Sequence, residues 1–154
     1  MSSFVINVNK KKVEQALRVA PNKIINSMHD SLTESAIYAS NQFKRTLTRH
    51  HSIDTGLLRA SVSFRFMNRL KVRIAPAQKY AKYVEYGTRP HHVSPEHLEG
   101  WAHRHGISPY AVAKSIAKKG TKAHPFVDET FAKVEPYAVH NMNKHIKTTV
   151  KEVL

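Results

Sequence analysis

The residues best suited to chemistry in this sequence are its histidines. The chain has 11 of them, and five fall in one window: His91, His92, His97, His103 and His105. Imidazole is a common ligand of zinc and other transition metals, so a metal site is one hypothesis. Two ligands on one helix face are usually three or four residues apart, whereas His103 and His105 are two apart. We therefore predict a polar, histidine-rich surface without a metal.

Other catalytic arrangements find little support. The chain has no cysteine, which excludes disulfides, thiolate metal sites and a cysteine nucleophile. A metal-dependent nuclease needs clustered carboxylates, but the 11 acidic residues are scattered along the chain. The glycine motifs of nucleotide-binding loops and the nucleophile motif of serine hydrolases are also missing. We predict no enzymatic activity and no cofactor.

One segment has the proportions of a helix-turn-helix unit. Helices are predicted over 96–105 and 109–119, with Gly106 and Gly120 ending them. A serine-proline pair marks the start of each helix: Ser94-Pro95 and Ser108-Pro109. The serine suits the capping position, and the proline suits the first helical position. Its small core would consist of Trp101, Ile107, Val112 and Ile116. Its exposed face would carry Tyr110, Lys114 and Lys118. A nucleic-acid-binding protein that uses 94–120 is therefore the alternative hypothesis.

The charge of the chain favours anionic partners. Its 25 Lys and Arg against 11 Asp and Glu give a formal net charge of +14, which suits nucleic acid, acidic protein surfaces or lipid headgroups. No acidic residue lies between Asp54 and Glu85. The sequence has no run of about 20 mainly apolar residues and no apolar signal region near its start. We expect synthesis in the cytoplasm and no membrane partner.

Two long helices and a hairpin make up the predicted framework. Pro21 opens a helix whose apolar stripe is Ile25, Met28, Leu32, Ala36 or Ser35, Ala39, Phe43 and Leu47. A second helix is predicted from Pro125 to the end, interrupted at Pro136, with an apolar stripe of Val139, Met142 or Asn143, Ile146, Val150 and Val153. An edge strand is predicted over 4–8.

The predicted hairpin has two unlike faces. Val62, Phe64 and Phe66 alternate with polar residues, and so do Leu70, Val72 and Ile74. The apolar face can cover the first long helix. The other face carries Arg65, Lys71 and Arg73, which would point to solvent, to DNA or to an acidic protein.

Three short blocks carry a resemblance to a known family. They are DTGLLRASV at 54–62, YAKYVEYGT at 80–88 and KAHPFVDETF at 122–131. In this order they resemble the small head-tail joining proteins of long-tailed double-stranded DNA phages, also called tail-completion, neck or minor tail-component proteins. That family likewise has a long amphipathic helix, T-G-x-L-R-x-S, a hairpin, Y-A-x-x-V-E-[FY]-G-T and a P-F motif that opens the last helix.

This resemblance implies an α+β fold, with a long N-terminal helix on a small antiparallel sheet and a C-terminal helix. A single domain would span 1–154, with a helical insert at about 91–121, where many family members have a shorter connection. The protein would be a non-enzymatic part of the virion tail or neck, present in the host cytoplasm during assembly. It would form a ring, hexameric by analogy, between the head connector and the tail terminator or tail tube proteins. Its basic face could line the channel that DNA crosses, without sequence-specific contact, or dock on an acidic neighbouring protein.

Each block also has a physical interpretation. Asp54 or Thr55 can cap a short helical turn that ends at Ala60, with Gly56 providing a tight backbone beside it. Arg59 could reach the carboxylate of Glu85. Pro125 would start the last helix and Phe126 would anchor it by burial. Gly87 marks a chain reversal.

The tyrosines of the middle block have the composition of a protein interface. Tyr80, Tyr83 and Tyr86 surround Val84 and could provide rigid contact area for a partner. Ordinary half-buried packing is the other interpretation. Together with Arg59 and Glu85, these tyrosines are the predicted interface residues.

Overall fold

A computed structural model describes residues 3–7, 20–50 and 54–153 of the chain. Its elements are β1 (Phe4–Asn7), α1 (Pro21–Arg49), α2 (Leu57–Ala60), β2 (Val62–Asn68), β3 (Lys71–Pro76), α3 (Ala81–Tyr86), a 3-10 turn (Pro95–Leu98), α4 (Glu99–Arg104), α5 (Pro109–Lys119) and α6 (Phe126–Val153). The predicted α+β class is confirmed. Part of the predicted edge strand, Val8, lies outside the described residues.

The two long helices pack against each other in antiparallel orientation. Ile24, near the start of α1, packs close to Ile146 in the last part of α6. Near the other end of α1, the ring of Phe43 meets the ring of Phe126 edge to face, with centroids 5.6 Å apart. Both phenylalanines are fully buried. The helix pair therefore has an apolar contact at each end.

Polar groups also join the same two helices. The amide of Asn141 donates to a carboxylate oxygen of Glu34 at 3.0 Å. The hydroxyl of Thr149 donates to that of Ser27 at 2.7 Å. Such directional bonds fix the rotation of one helix against the other, because a shifted helix would leave these groups without partners.

A three-stranded antiparallel sheet lies on α1. The strand order is β1-β3-β2, so the predicted hairpin is confirmed and β1 is an edge strand, as predicted. Val72 and Ile74 of the central strand are fully buried. Phe4 of β1 stacks on Phe43 of α1, with centroids 5.9 Å apart. The apolar face of the sheet thus shares one core with both long helices.

Three details of the predicted helices were wrong. α1 buries Ile24 completely, whereas Ile25 is only half-buried. α6 continues through Pro136, which is exposed, so its ring and the carbonyl group it leaves unpaired lie on the water side. Val139 is 56% exposed rather than buried. The uninterrupted helix keeps the phase set at Phe126, which turns Val139 outward.

The helical insert follows the predicted plan. α4 and α5 lie within the two predicted helices, and Gly106 and Gly120 end them with positive φ. Ser94 and Ser108 occupy the capping positions before the prolines, but neither hydroxyl makes a capping hydrogen bond. The preset φ of proline therefore begins these helices without help from the serine side chains.

The two ends of the insert are joined by an isolated β-bridge. Thr88 and Thr121 exchange backbone hydrogen bonds of 3.2 Å in both directions, and their hydroxyls are 3.1 Å apart. Gly87 (φ 68°, ψ −172°) and Gly120 (φ 73°, ψ −161°) flank the bridge in a backbone region that is essentially restricted to glycine. A Cβ atom on Gly120 would lie 1.9 Å from the carbonyl oxygen of Thr88.

We expect Gly120→Ala to destabilise the protein by at least about 3 kcal/mol, since strain and a backbone clash add together. Gly106→Ala is the matched control, because Gly106 also has positive φ but a Cβ there meets nothing within 4 Å. The control should cost about 1 kcal/mol. Urea unfolding followed by circular dichroism measures both. Equal losses of unfolding free energy in the two variants would show that the close contact at the bridge does not contribute to stability.

Candidate functional site

An open groove of about 1020 Å³ separates the insert from the rest of the chain. The insert side is lined by Pro90, Val93, Leu98, Trp101, Val112 and Ile116. The opposite side is lined by Leu57, Leu58, Tyr80, Tyr83, Val84 and His124. Most of these side chains are apolar or aromatic, so the groove offers contact area to a partner.

The predicted core of the insert is part of this groove. Trp101 is 37% exposed and Ile107 is 46% exposed, while Ala102 is fully buried. Val112 and Ile116 are half-buried and face the groove with Trp101. Two short helices are too small to enclose four large side chains, so the prediction of a separate buried core was wrong.

An ion pair closes one end of the groove. Arg104 of α4 donates to both carboxylate oxygens of Asp54, one of them at 2.8 Å. The imidazole of His105 lies 3.4 Å from the same carboxylate and stacks on Trp101, with ring centroids 4.3 Å apart. These contacts hold the insert against the segment before α2.

This ion pair corrects the predicted role of Asp54. The capping position of α2 belongs to Gly56, which has φ 78°, and no side chain caps that helix. The Arg104 guanidinium, followed by His105, holds the pKa of Asp54 below its ordinary value. The role of Arg104 was not predicted, because 50 residues separate it from Asp54 and no sequence motif contains it.

Glu85 caps the start of α6. Its side chain is 2% exposed, and the backbone N–H of Val127 donates to its carboxylate at 3.0 Å. Burial raises the pKa of Glu85, while the backbone N–H groups of Val127 and Phe126 oppose that rise. A carboxylate at this position also suits the positive end of the helix dipole.

Two predictions about Glu85 were therefore wrong. It is no surface residue for a partner, and it does not pair with Arg59. Arg59 is exposed, and its guanidinium approaches the hydroxyl of Thr48 at 3.5 Å. The second and third sequence blocks are joined by Glu85 and by a hydrogen bond of 2.9 Å from the N–H of His124 to the carbonyl of Val84.

The three tyrosines of the middle block are all accessible. Tyr80 is 41% exposed and Tyr83 is 50% exposed, and both line the groove. Tyr86 is 71% exposed and does not contribute to the groove wall. The ammonium of Lys82 lies 4.8 Å from the ring centroid of Tyr83.

The charges at the groove rim are mainly positive. Arg89 and Lys122 line the groove and are exposed. Within the part of the chain that the structure describes, neither side chain forms an ion pair. Burial, then His50 and Lys122, lower the pKa of His124, so this third rim residue is uncharged at neutral pH. Among the described residues, Asp54 is the one acidic residue of the lining.

The predicted basic residues lie on two different surfaces. Arg65 and Arg73 face each other across β2 and β3, on the side of the sheet opposite the buried Val72 and Ile74. Lys71 shares that side. Lys114 and Lys118 are exposed on α5, together with Tyr110, as predicted. These cations therefore lie on two separate elements, the outer face of the sheet and the exposed side of α5, as their sequence positions predict.

Within residues 3–7, 20–50 and 54–153, no group of three or more His, Asp or Glu is placed to hold a metal ion. None of the described helices is long and apolar enough to cross a membrane. Comparison with protein-family models, with curated proteins and with solved structures finds no match for this chain.

Replacing Glu85 tests the helix cap. Glu85→Ala removes the acceptor for a buried N–H and should cost about 1–3 kcal/mol. Glu85→Gln keeps an acceptor oxygen without a buried charge. The pKa of Glu85 is raised above 4.5, so the wild-type protein loses stability as the pH rises from 4.5 through the pKa of Glu85 in the folded state. Over that interval Glu85→Gln should become more stable relative to wild type, because it has no carboxyl group to ionise.

Denaturant unfolding at several pH values measures these effects, with Glu152→Ala, at an exposed position near the end of α6, as the control. A Glu85→Ala variant as stable as this control would contradict the capping role. A stability difference between Glu85→Gln and wild type that does not change with pH would contradict the burial of an ionisable carboxyl.

Replacing Asp54 tests the ion pair at the groove. Trp101 is the single tryptophan of the chain and stacks on His105, so its fluorescence reports this end of the groove. We expect Asp54→Asn to move the Trp101 emission to longer wavelength, since the insert is held less closely. Helix content by circular dichroism should stay unchanged.

Wild type should show the same emission shift in acid. The pKa of Asp54 lies below its ordinary 3.8, so the ion pair is complete above that pH and is lost as pH falls through the folded value. Asp30→Asn, at an exposed site on α1, is the control. Identical emission spectra for wild type, Asp54→Asn and Asp30→Asn would show that the ion pair does not position the insert.

Proposed function

We propose that this protein is a non-enzymatic structural component of a phage or prophage tail, which joins or completes the tail at the head-tail interface as part of an oligomeric ring. One observation carries the proposal: all three blocks of the resemblance line the same groove. Leu57 and Leu58 come from the first block, Tyr80 and Tyr83 from the second, and Lys122 and His124 from the third.

The bonds between the blocks support a shared structural role. Glu85 of the second block caps the helix that begins in the third block. Asp54 of the first block holds the insert through Arg104. Asp54 and Glu85, the acidic side chains of the first two blocks, thus stabilise the structure around the groove. The apolar walls of the groove remain available for contact with other proteins.

The same geometry supports contact rather than catalysis. The carboxylate of Asp54 is occupied by Arg104 and His105, and Glu85 is buried under α6. The exposed surface of the groove is mainly aromatic and aliphatic, with cations at the rim. Such a surface suits a protein that acts by binding its neighbours.

Deletion of the gene from the phage or prophage that carries it tests this proposal. After induction, negative-stain electron microscopy of the lysate should show filled heads beside unattached tails, and the gene supplied in trans should restore joined particles. Normal infectious particles from the deletion would reject the joining role. The exposed Lys114 and Lys118 on α5 would then lead to the nucleic-acid hypothesis, because they form a basic helix face.

A further inference from the structure

The groove exposes large apolar side chains that a partner would cover. Leu57 is 57% exposed, Tyr83 is 50% exposed and Trp101 is 37% exposed. Contiguous apolar surface of this kind commonly marks an interaction site. At about 1020 Å³, the groove is at the upper limit of pockets that hold small molecules, and it is open along its length. A segment of protein fits such a space better than a small ligand.

The positive charges at the groove rim indicate which charges the bound protein segment should carry. Arg89 and Lys122 are exposed and form no ion pair with described residues. The acidic lining residue, Asp54, is already bound to Arg104. An occupant that brings apolar side chains together with carboxylates would therefore satisfy both the walls and the rim.

The chain itself carries a surface of this composition on α6. We call it the α6 ridge, and it consists of Asp128, Phe131, Glu135 and Val139. These residues follow one another at helical spacing, so they share one side of the helix. Phe131 is 37% exposed and Val139 is 56% exposed. Both carboxylates are exposed, and no described residue forms an ion pair with them.

Other exposed apolar side chains lack this combination. In the described part of the chain, the large ones outside the groove and the ridge are Ile37, Met67, Tyr86, Ile107 and Tyr110. Glu34, one turn before Ile37 on α1, is bonded to Asn141 and His145. Glu85, beside Tyr86, is buried. Met67, Ile107 and Tyr110 have no acidic residue within four positions in sequence.

We propose that the groove of one copy receives the α6 ridge of a second copy. Val139 and Phe131 would contact the apolar walls, and Glu135 and Asp128 would approach Lys122 and Arg89. The two surfaces differ, so the contact is heterologous, and repetition of such a contact closes into a ring when the rotation per subunit permits it. This inference rests on the proposed ring function and names the two surfaces that would build the ring.

Charge reversal on each surface tests this contact in the full chain. The groove variant is Arg89→Glu with Lys122→Glu, and the ridge variant is Asp128→Lys with Glu135→Lys. We expect wild type to self-associate in sedimentation velocity as its concentration rises. Each variant alone should associate at least about tenfold more weakly, because like charges then meet across the contact. An equimolar mixture of the two should recover association, since opposite charges are again paired.

Arg45→Glu with Lys147→Glu provides the matched control. Both positions are exposed on the long helices, and the change in net charge equals that of the groove variant. This control should associate like wild type, and circular dichroism should show that all variants are folded. Wild type that stays monomeric at every concentration, a ridge variant that associates normally, or a folded mixture without recovery would each overturn the inference.

The two proposals fail in different experiments. If deletion of the gene leaves unattached tails but wild type never self-associates, the joining function stands and the groove-to-ridge contact is wrong. If the contact is confirmed but the deletion yields normal particles, the protein forms an assembly with another role.

Discussion

The carboxylate of Glu85 lies buried at the first turn of α6, and most of the architecture around the groove depends on it. It accepts the N–H of Val127, while Val84 accepts the N–H of His124, so the end of α3 and the start of α6 form one unit. Burial of a carboxyl is unfavourable without such donors. The start of a helix supplies both unpaired N–H groups and a positive dipole. The position of α3 therefore depends on where α6 begins.

The insert depends on this unit in turn. The chain leaves the body immediately after Glu85, at Gly87 and Thr88, and returns immediately before α6, at Gly120 and Thr121. At these points the two backbones approach too closely for any side chain on the glycines. The helical insert is attached at its base by the bridge between Thr88 and Thr121, and at its far side by the ion pair of Arg104 with Asp54. An open space is left between these two attachments. That space is the groove.

The net charge of the chain is +14, and several of its few acidic residues are bound within the chain. Glu129 interacts with Arg49, His50 and Lys133, Glu34 interacts with Asn141 and His145, and Asp54 binds Arg104. The sheet, the outer side of α5 and the groove rim then carry cations with few acidic neighbours. An anionic partner surface is favoured wherever such cations stay unpaired.

Local pattern in the sequence was sufficient for most of the elements, although it did not predict the short helix α3. The apolar stripe of α1, the alternation in β2 and β3, and the proline and glycine positions of α4 and α5 are all read within a few residues, because helix and strand periodicity and backbone stereochemistry are local properties. The buried phase of α6 was not, since it depends on whether the helix continues through Pro136, which it does with the proline on its exposed side. The partners of Asp54 and Glu85 also lie 50 and 42 residues away. Only the folded chain brings such groups together, so the groove, its ion pair and its helix cap are properties of the tertiary structure.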